Sequence, residues 1–231
     1  MNISDLRLEL EEDLAWRLEE LRHLRNRLLG GDPVDKWEAK SMRAILVMQY
    51  AHLEGFTRNC LSLYVDLINE LGLRADEVHP QLLASALAAE FKELTAASAA
   101  QSVEADGKLT RRAKSHVAFL GRLRELSDAP LAIAAELAVS TEMNLGHDVL
   151  RRNFYMLGIP EEKVERAQYV AIEFVKTTRN DIAHGSRKEV IKAGLFDAHR
   201  KKCEQFMNDL ARIITTAASE EWYRVHPTPS E

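Results

Sequence analysis

Glycine and proline are scarce in this sequence, which contains 10 glycines and 6 prolines among 231 residues. Both residue types interrupt helices, so their scarcity predicts few turns and long helices. Leucine, alanine, glutamate and arginine are abundant, and all four favour helices. The composition therefore predicts an all-α fold, built as an elongated bundle of long antiparallel helices.

Long apolar runs are absent as well. The longest nearly apolar stretch, Pro130 to Val139, includes Glu136 and is far shorter than the roughly 20 residues that cross a bilayer. The first residues carry five Asp or Glu between Asp5 and Asp13, and they lack the basic and apolar regions of a signal peptide. We therefore expect a cytoplasmic protein without membrane association.

Cysteine is limited to Cys60 and Cys203, both at apolar positions of predicted helices. This pattern indicates buried free thiols in a reducing compartment. The eight histidines stand singly, and the sequence contains no His-x-x-x-His, Cys-x-x-Cys, phosphate-loop or nucleophile-elbow pattern. We predict neither a metal site nor a cofactor.

Apolar residues recur at spacings of three and four along most of the chain, which is the period of amphipathic helices. Glycines, prolines and capping residues mark the helix ends. We expect one helical domain over 1–225 and a frayed tail at 226–231. The predicted helices cover about 4–28, 34–71, 80–98, 110–127, 131–140, 146–157, 160–185 and 186–222, with a loop at 99–108.

Two patterns mark the junction between the last two helices. Gly185 can end the first helix, because glycine readily adopts the left-handed conformation of a C-terminal cap. Ser186 to Glu189 then match a capping box, so a new helix is predicted to begin there directly. Gly194 is a candidate interruption of that new helix.

The same junction carries the densest polar pattern of the chain, the segment RNDIAHG from Arg179 to Gly185. From Lys176 to Lys202, eight Lys or Arg stand against three Asp or Glu, a local charge of +5 in a chain with a net charge of −5. Because the whole chain is acidic, any polyanion must be bound locally, and this segment favours such a site. The other interpretation is a solvated basic helix face.

Helix geometry separates the two most distinctive residues of this pattern. At 100° per residue, Asn180 and His184 lie about 40° apart, whereas Arg179 and His184 lie about 140° apart. Arg179 and His184 therefore cannot converge on a straight helix. Either the helix ends near Ala183 and lets His184 turn back, or both residues meet their counterparts from a second copy of the chain.

At this segment the sequence resembles the HEPN superfamily, whose hallmark is an Arg followed after four to six residues by a His, commonly beginning Arg-Asn. The chain is further similar to the MAE-type, or RiboL-PSP-like, branch of prokaryotic HEPN proteins. The similar segments are Trp16 to Leu29, Tyr50 to Phe56, Met143 to Leu145 with the helix after it, and Arg179 to Gly185. The similarity runs over most of the chain.

The resemblance implies a helical bundle that forms a homodimer, with the motifs facing each other in a cleft. It also implies metal-independent RNA cleavage in a toxin–antitoxin or phage-defence setting, with an antitoxin or a defence complex as a further partner. In a subset of HEPN toxins a Tyr follows the His by two residues and is modified by a nucleotidyltransferase. Ser186 stands at that position here, so this modification is not expected.

RNA carries its own nucleophile, the 2′-hydroxyl, so cleavage requires proton transfer and charge stabilisation at the adjacent phosphate. His184 is the candidate for proton transfer, since an imidazole gains or loses a proton near neutral pH. Arg179 offers a planar fork of donors for the phosphate oxygens. Asn180 is expected to hold the ribose or to orient His184.

Four further residues are secondary candidates. Arg187, Lys188 and Lys192 follow the motif and are expected to contact the RNA backbone. Glu54 lies in one of the segments that resemble the family, and it is a candidate supporting residue of the cleft.

Two non-catalytic interpretations remain open. His184 can serve as a helix cap while Arg179 pairs with Asp181 or another neighbouring acid. The whole chain can also be a non-catalytic HEPN module that binds nucleotide or RNA, or a dimeric scaffold for a partner protein. The presence of both Arg179 and His184 favours the ribonuclease.

Overall fold

Helices form nearly all regular structure in the computed structural model, which describes residues 1–99, 105–142, 144–186 and 191–225. Within these ranges there are nine α-helices and no β-strand, so the predicted all-α fold is confirmed. None of these helices is long and apolar enough to cross a membrane. The helices are α1 (Ile3–Leu29), α2 (Ala39–Glu70), α3 (Pro80–Ala86), α4 (Ala88–Ala99), α5 (Ala105–Asp128), α6 (Ala135–Ala138), α7 (His147–Met156), α8 (Arg166–Ala183) and α9 (Ala193–Ser219).

The first helix begins at a capping box. The Asn2 side chain accepts a hydrogen bond from the Asp5 backbone N–H at 2.9 Å, and the Asp5 carboxylate accepts one from the Asn2 N–H at 3.1 Å. These bonds satisfy two backbone donors that a helix start leaves unpaired. α1 then covers the predicted 4–28 and ends before Gly30.

The second helix begins later than predicted. Pro33 leads into a single 3-10 turn at Val34–Lys36, so α2 begins at Ala39 rather than at Val34. Its end agrees with the prediction, because Gly72 follows it with a φ of 61°. Glycine adopts this left-handed conformation without the steric cost that a side chain imposes.

α2 is the central helix of the bundle, since it packs against α1, α8 and α9. α9 also contacts α1 and α8, and one hydrophobic cluster joins the buried residues of these helices. Cys60 and Cys203 are buried free thiols within it, as predicted, and burial raises the pKa of both. The largest fully buried side chains are Tyr50, Tyr64, Phe56, Phe154, Phe196 and Phe206.

The prediction of a helix over 131–140 is wrong for residues 131–134, which are not helical and bond to the C-terminal end of α2 and the residues just after it. The Leu131 N–H donates a hydrogen bond to the Leu73 carbonyl at 2.6 Å. The Asn69 side chain accepts from the Ile133 N–H at 2.8 Å and donates to the Ile133 carbonyl at 3.0 Å. These tertiary bonds replace the helical ones, and only the single turn α6 remains.

The preceding helices also differ from their predicted bounds. The helix predicted over 80–98 is divided at Leu87 into α3 and α4. α5 begins at Ala105, so the predicted loop is wrong for 105–108, while 100–104 lie outside the described residues. α4 and α5 pack against each other as a helical hairpin.

The two ends of α8 show one wrong and one correct boundary. Pro160 does not open the long helix, because a 3-10 turn at Glu161–Lys163 intervenes and α8 begins only at Arg166. A capping box between Glu165 and Gln168 fixes that start. The C-terminal end at Ala183, just before Gly185, is as predicted.

The last helix begins later than the capping-box pattern predicts. Ile191 and Lys192 are not helical, and α9 begins at Ala193 with Lys192 as its N-terminal cap residue. Gly194 therefore lies in the first turn of α9 and does not interrupt it. Residues 187–190 and the predicted frayed tail at 226–231 lie outside the described residues.

A buried histidine joins α1 to α2. His52 is 4% exposed, and its Nε2 lies 2.9 Å from Oε2 of Glu20. Its ring also meets the Trp16 ring edge to face, with the centroids 5.3 Å apart. Burial lowers the pKa of His52, even though the nearby Glu20 carboxylate acts in the opposite direction.

This shift makes stability depend on pH. Because folding lowers the pKa of His52, the unfolded chain binds the proton more readily, and the stabilisation present above about pH 6.5 is lost as the pH falls. We expect a lower melting temperature at pH 5.5 than at pH 7.5, and a smaller difference in the His52→Gln variant. The exposed His23 of α1 provides the control. If His23→Gln and His52→Gln change the pH dependence equally, the burial of His52 is not its cause.

Candidate active site

The Arg179-to-His184 motif lies at the C-terminal end of α8, which packs against α2 and α9. The buried face of α8 includes Ala171, Ile172 and Val175. This face anchors the helix in the core and leaves Arg179 and Asn180 half-buried at its margin. The position of the motif is therefore set by the core packing of α8.

α8 ends in a Schellman motif, in which two backbone N–H groups beyond the helix bond back to its last turn. The Gly185 N–H donates to the Ile182 carbonyl at 3.1 Å, and the Ser186 N–H donates to the Asp181 carbonyl at 3.0 Å. Gly185 has a φ of 67°. Of the two geometric alternatives, the helix end near Ala183 is thus present, and Ser186 bonds back to the last turn of α8.

The Arg179 guanidinium is held between α2 and α8. It lies over the Tyr50 ring, with Cζ 4.1 Å from the ring centroid. Nη1 donates a hydrogen bond to Oδ1 of Asn180 at 2.9 Å, and Nη2 lies 3.8 Å from Oε2 of Glu54. The acidic residue nearest the guanidinium among these contacts is therefore Glu54, which is far from Arg179 in sequence. A guanidinium held on three sides has few accessible orientations.

Asn180 connects the two residues that helix geometry separates. Its side-chain oxygen accepts the hydrogen bond from Arg179, and its backbone carbonyl accepts one from the His184 N–H at 2.9 Å. Its side-chain amide also donates to Oδ1 of Asn144 at 3.0 Å. The Asn180 side chain thereby links Arg179 to the segment before α7, while its backbone carbonyl makes the helical bond to His184.

The segment before α7 approaches α8 closely because Gly146 has no side chain. A Cβ at Gly146 would lie 2.8 Å from Lys176 atoms and 2.9 Å from Oε2 of Glu173. The same carboxylate accepts a hydrogen bond from the His147 N–H at 3.2 Å. This close approach places Asn144 within reach of Asn180.

Tyr50 and Glu54 form the wall of the site on α2. Burial, reinforced by the negative charge of Glu54, raises the pKa of the Tyr50 hydroxyl. Tyr50 is therefore protonated at neutral pH and presents a neutral ring to Arg179. Glu54 was a secondary candidate from the sequence, and it lies at the site near Arg179. His52 faces α1 and does not reach the site.

His184 is exposed, and no hydrogen bond within the described residues engages its imidazole. Its backbone N–H bonds the Asn180 carbonyl, but its ring makes no bond to a carbonyl among the described residues, which the capping interpretation requires. None of the hydrogen bonds of the described chain joins His184 to Arg179 directly. The ring is thus open to solvent at the C-terminal end of α8.

The predicted basic segment is largely neutralised by acids from outside it. Arg200 is buried and bonds Glu204 at 2.6 Å, while Lys202 lies 3.4 Å from Glu165. Lys176 lies 2.5 Å from Glu173. A charge count over 176–202 therefore overstates the free positive charge.

Of the three predicted RNA-contacting residues, the structure describes only one. Lys192 is exposed at the start of α9, without an acidic partner among the described residues. Arg187 and Lys188 lie outside the described residues. Lys192 adopts an extended conformation, so it does not share a helical turn with Lys188 as the capping-box pattern implied.

Sequence reasoning did not single out Tyr50 and Asn144. Both lie in segments that carry the family resemblance, which is the signal that could have identified them. Tyr50 and Arg179 are more than 100 residues apart in sequence, so no local sequence pattern indicates their contact.

A model of the MAE-type HEPN-like family matches residues 6–223, which is nearly the whole chain. No curated protein and no solved structure gave a significant match. In the part of the chain that the structure describes, no group of three or more His, Cys, Asp or Glu is placed to hold a metal ion.

The helix end that carries His184 depends on the left-handed conformation of Gly185. Alanine at this position is strained whatever the space around it, so Gly185→Ala should lower the free energy of unfolding by about 1–2 kcal/mol. Gly194→Ala is the matched control, because Gly194 lies in α9 with open space around its Cβ position, and it should stabilise by up to about 1 kcal/mol. Urea denaturation measures both. A neutral Gly185→Ala would contradict the cap described for α8.

Proposed function

We propose that this chain, which belongs to the MAE-type HEPN family, is a metal-independent endoribonuclease whose active site is built around Arg179, Asn180 and His184. One observation carries the proposal. Asn180 bonds the Arg179 guanidinium through its side chain and the His184 backbone through its carbonyl, so a phosphate-binding group and a proton-transfer group share one support. The side-chain bond to Arg179 is specific to this motif, whereas the bond from the His184 N–H is the ordinary helical bond to the residue four positions earlier.

The proposed reaction uses the 2′-hydroxyl of RNA as the nucleophile. Its oxygen bonds to the adjacent phosphorus while its proton passes to a base. The bond between phosphorus and the 5′-oxygen breaks, and that oxygen gains a proton from an acid. The products are a 2′,3′-cyclic phosphate and a 5′-hydroxyl, and water, oxidants and cofactors take no part.

Each residue has a distinct role in this scheme. His184, exposed at the helix end, transfers the proton. Arg179 binds the phosphate oxygens on which negative charge accumulates in the transition state. Tyr50 and Glu54 hold the guanidinium in place, which reduces the conformational entropy that binding must overcome.

RNA association would involve the residues that follow α8. Lys192 follows the motif in sequence and is exposed. It has no acidic partner among the described residues, so it can neutralise a phosphate. Arg187 and Lys188 are proposed to extend the same contact.

We further propose a homodimer, because the reaction requires both a base and an acid. The motif supplies one imidazole per chain, and a second chain related by a two-fold axis would supply the other. In the cell, such an enzyme would act as a toxin or as a phage-defence effector, restrained or triggered by an antitoxin or a defence-complex partner.

The other candidate function is a non-catalytic HEPN module that binds RNA or nucleotide, or a dimeric scaffold. One observation favours it: Arg179 already interacts with Asn180 and Glu54. In that case the guanidinium stabilises the contact between α2 and α8, and removal of His184 has no chemical consequence.

Cleavage of RNA by the purified protein separates the two functions. We expect activity that persists in EDTA and falls roughly 10²-fold or more in Arg179→Ala and in His184→Ala, because each loses a group that acts in the transition state. The exposed His23→Ala is the control and should retain full activity. Gel analysis of a labelled RNA measures the rates and the ends. Equal, slow degradation by all four proteins would mean contamination and would reject the catalytic assignment.

The dimer has its own test. Light scattering should give about twice the 26.2 kDa of one chain. If each site needs His184 from both chains, an equal mixture of wild type and His184→Ala should, after subunit exchange, retain about one quarter of the wild-type activity at the same total concentration. One half would indicate that each chain acts alone. A strictly monomeric species that cleaves RNA would exclude a shared site.

A further inference from the structure

A second arginine lies on the face of α2 that holds Arg179. Arg43 precedes Tyr50 by seven residues and Glu54 by eleven. At 100° per residue, these three positions fall within about 40° of one another around the helix. Tyr50 and Glu54 both contact the Arg179 guanidinium. Arg43 therefore lies on the side of α2 that faces α8.

α9 runs parallel to α2, as the ring contacts at its two ends show. Phe196, in the first turn of α9, meets Trp37 just before α2, with the ring centroids 6.0 Å apart. Tyr223, just after α9, meets Tyr64 in the second half of α2, with the centroids 6.4 Å apart. The two helices therefore begin at the same end of the bundle.

α8 runs antiparallel to α9 and hence to α2. Gln168, in the first turn of α8, donates a hydrogen bond at 2.6 Å to Asp209 in the second half of α9. The C-terminal end of α8 therefore lies at the end of the bundle where α2 and α9 begin. A step along α8 from Arg179 to His184 corresponds to a step along α2 toward its N-terminal end.

Arg43 and His184 consequently lie at nearly the same level of the bundle. His184 lies five residues beyond Arg179, which is about 7.5 Å along α8. Arg43 lies about 10.5 Å from Tyr50 in the same direction along α2. Packed helices have axes about 8–10 Å apart. Val47, one turn from Arg43 toward the motif, is 36% exposed, so the surface of α2 between them is open to solvent.

Arg43 has no counter-charge in the part of the chain that the structure describes. The residue is half-buried, yet it forms no ion pair with Asp35 or Glu38, the acids nearest to it in sequence, nor with any other described residue. A guanidinium that is partly removed from water without a counter-charge is unfavourable, and an anion bound beside it offsets that cost. Its planar fork of donors is suited to phosphate.

We propose that Arg43 binds the RNA phosphate next to the one on which Arg179 and His184 act. This inference rests on the proposed ribonuclease function and adds a second substrate-binding residue to the same site. Arg179 is held on Tyr50, about 10.5 Å along α2 from Arg43, so the two guanidinium groups are placed for two phosphates rather than one. Contacts to the backbone carry no base preference, so Arg43 positions the strand without selecting its sequence.

Binding is measured with an RNA of about 12 nucleotides whose 2′-hydroxyls are methylated, so that it cannot be cleaved. We expect Arg43→Ala to lower the affinity roughly tenfold and to reduce the slope of log affinity against log salt by about 0.7, the value for one phosphate contact on a single strand. Arg43→Lys keeps the charge and should restore most of the slope. Circular dichroism verifies that the variants fold.

Arg58→Ala is the matched control for this measurement. Arg58 is also on α2 and exposed, without an ion pair among the described residues. It lies eight residues beyond Tyr50, away from the end of α8 that carries His184. Its removal should therefore leave the affinity and the salt slope unchanged.

Cleavage distinguishes the neighbouring phosphate from the scissile one. On unmethylated RNA of the same length, Arg43→Ala should raise KM roughly tenfold with little change in kcat, because a contact made equally in the ground and transition states affects binding alone. A dinucleoside monophosphate has no neighbouring phosphate, so the effect of Arg43→Ala should disappear on it. Arg179→Ala should be impaired on both substrates.

Three results would overturn the role of Arg43. They are an absence of binding by the wild type, an unchanged affinity in Arg43→Ala, and equal losses in Arg43→Ala and Arg58→Ala. Equal impairment of Arg43→Ala on the dinucleoside monophosphate and on the longer RNA would also overturn it, since Arg43 would then act at the scissile phosphate or on folding. A wild-type protein that binds RNA through Arg43 but cleaves none would instead reject the proposed ribonuclease and retain the phosphate contact.

Discussion

The packing of α8 on α2 is the constraint on which the candidate site depends. α2 is the central helix of the bundle, and it supplies both Tyr50 and Glu54 to the surface that α8 covers. Arg179 lies at the margin of this contact, where its guanidinium rests on an aromatic ring and near a carboxylate. A charge at such a boundary is partly removed from water, so it requires partners of complementary chemistry. The same contact that builds the core therefore orients the functional group.

Asn180 connects the core-anchored Arg179 to the C-terminal end of α8. The bonds it makes to Arg179 and to the His184 backbone lie within the end of α8, and its bond to Asn144 joins this end to the segment before α7. The Schellman motif at Gly185 then fixes where the chain leaves the helix axis. His184 itself keeps the helical bond from its N–H to the Asn180 carbonyl. The site thus combines a rigid cation with an exposed imidazole.

The distribution of paired and unpaired charge differs between two parts of the molecule. Near the motif, acids from α2, α8 and α9 neutralise most of the cations that the sequence concentrates there. On α5, the exposed Arg112 and Arg124 have no such partners among the described residues. Exposed charges contribute little to stability.

The sequence alone determined the all-α class and most helix ends marked by glycine, because these follow from local periodicity and capping chemistry. Its resemblance over several segments identified the family and made Arg179, Asn180 and His184 candidate site residues. Tertiary structure decided the rest. Residues 131–134 are not helical because Asn69 and Leu73 bond the backbone of Leu131 and Ile133, and helix propensity does not include such distant partners. Tyr50, Glu54 and Asn144 meet the motif only through folding, since contacts across the bundle depend on which helix faces pack together and not on sequence spacing.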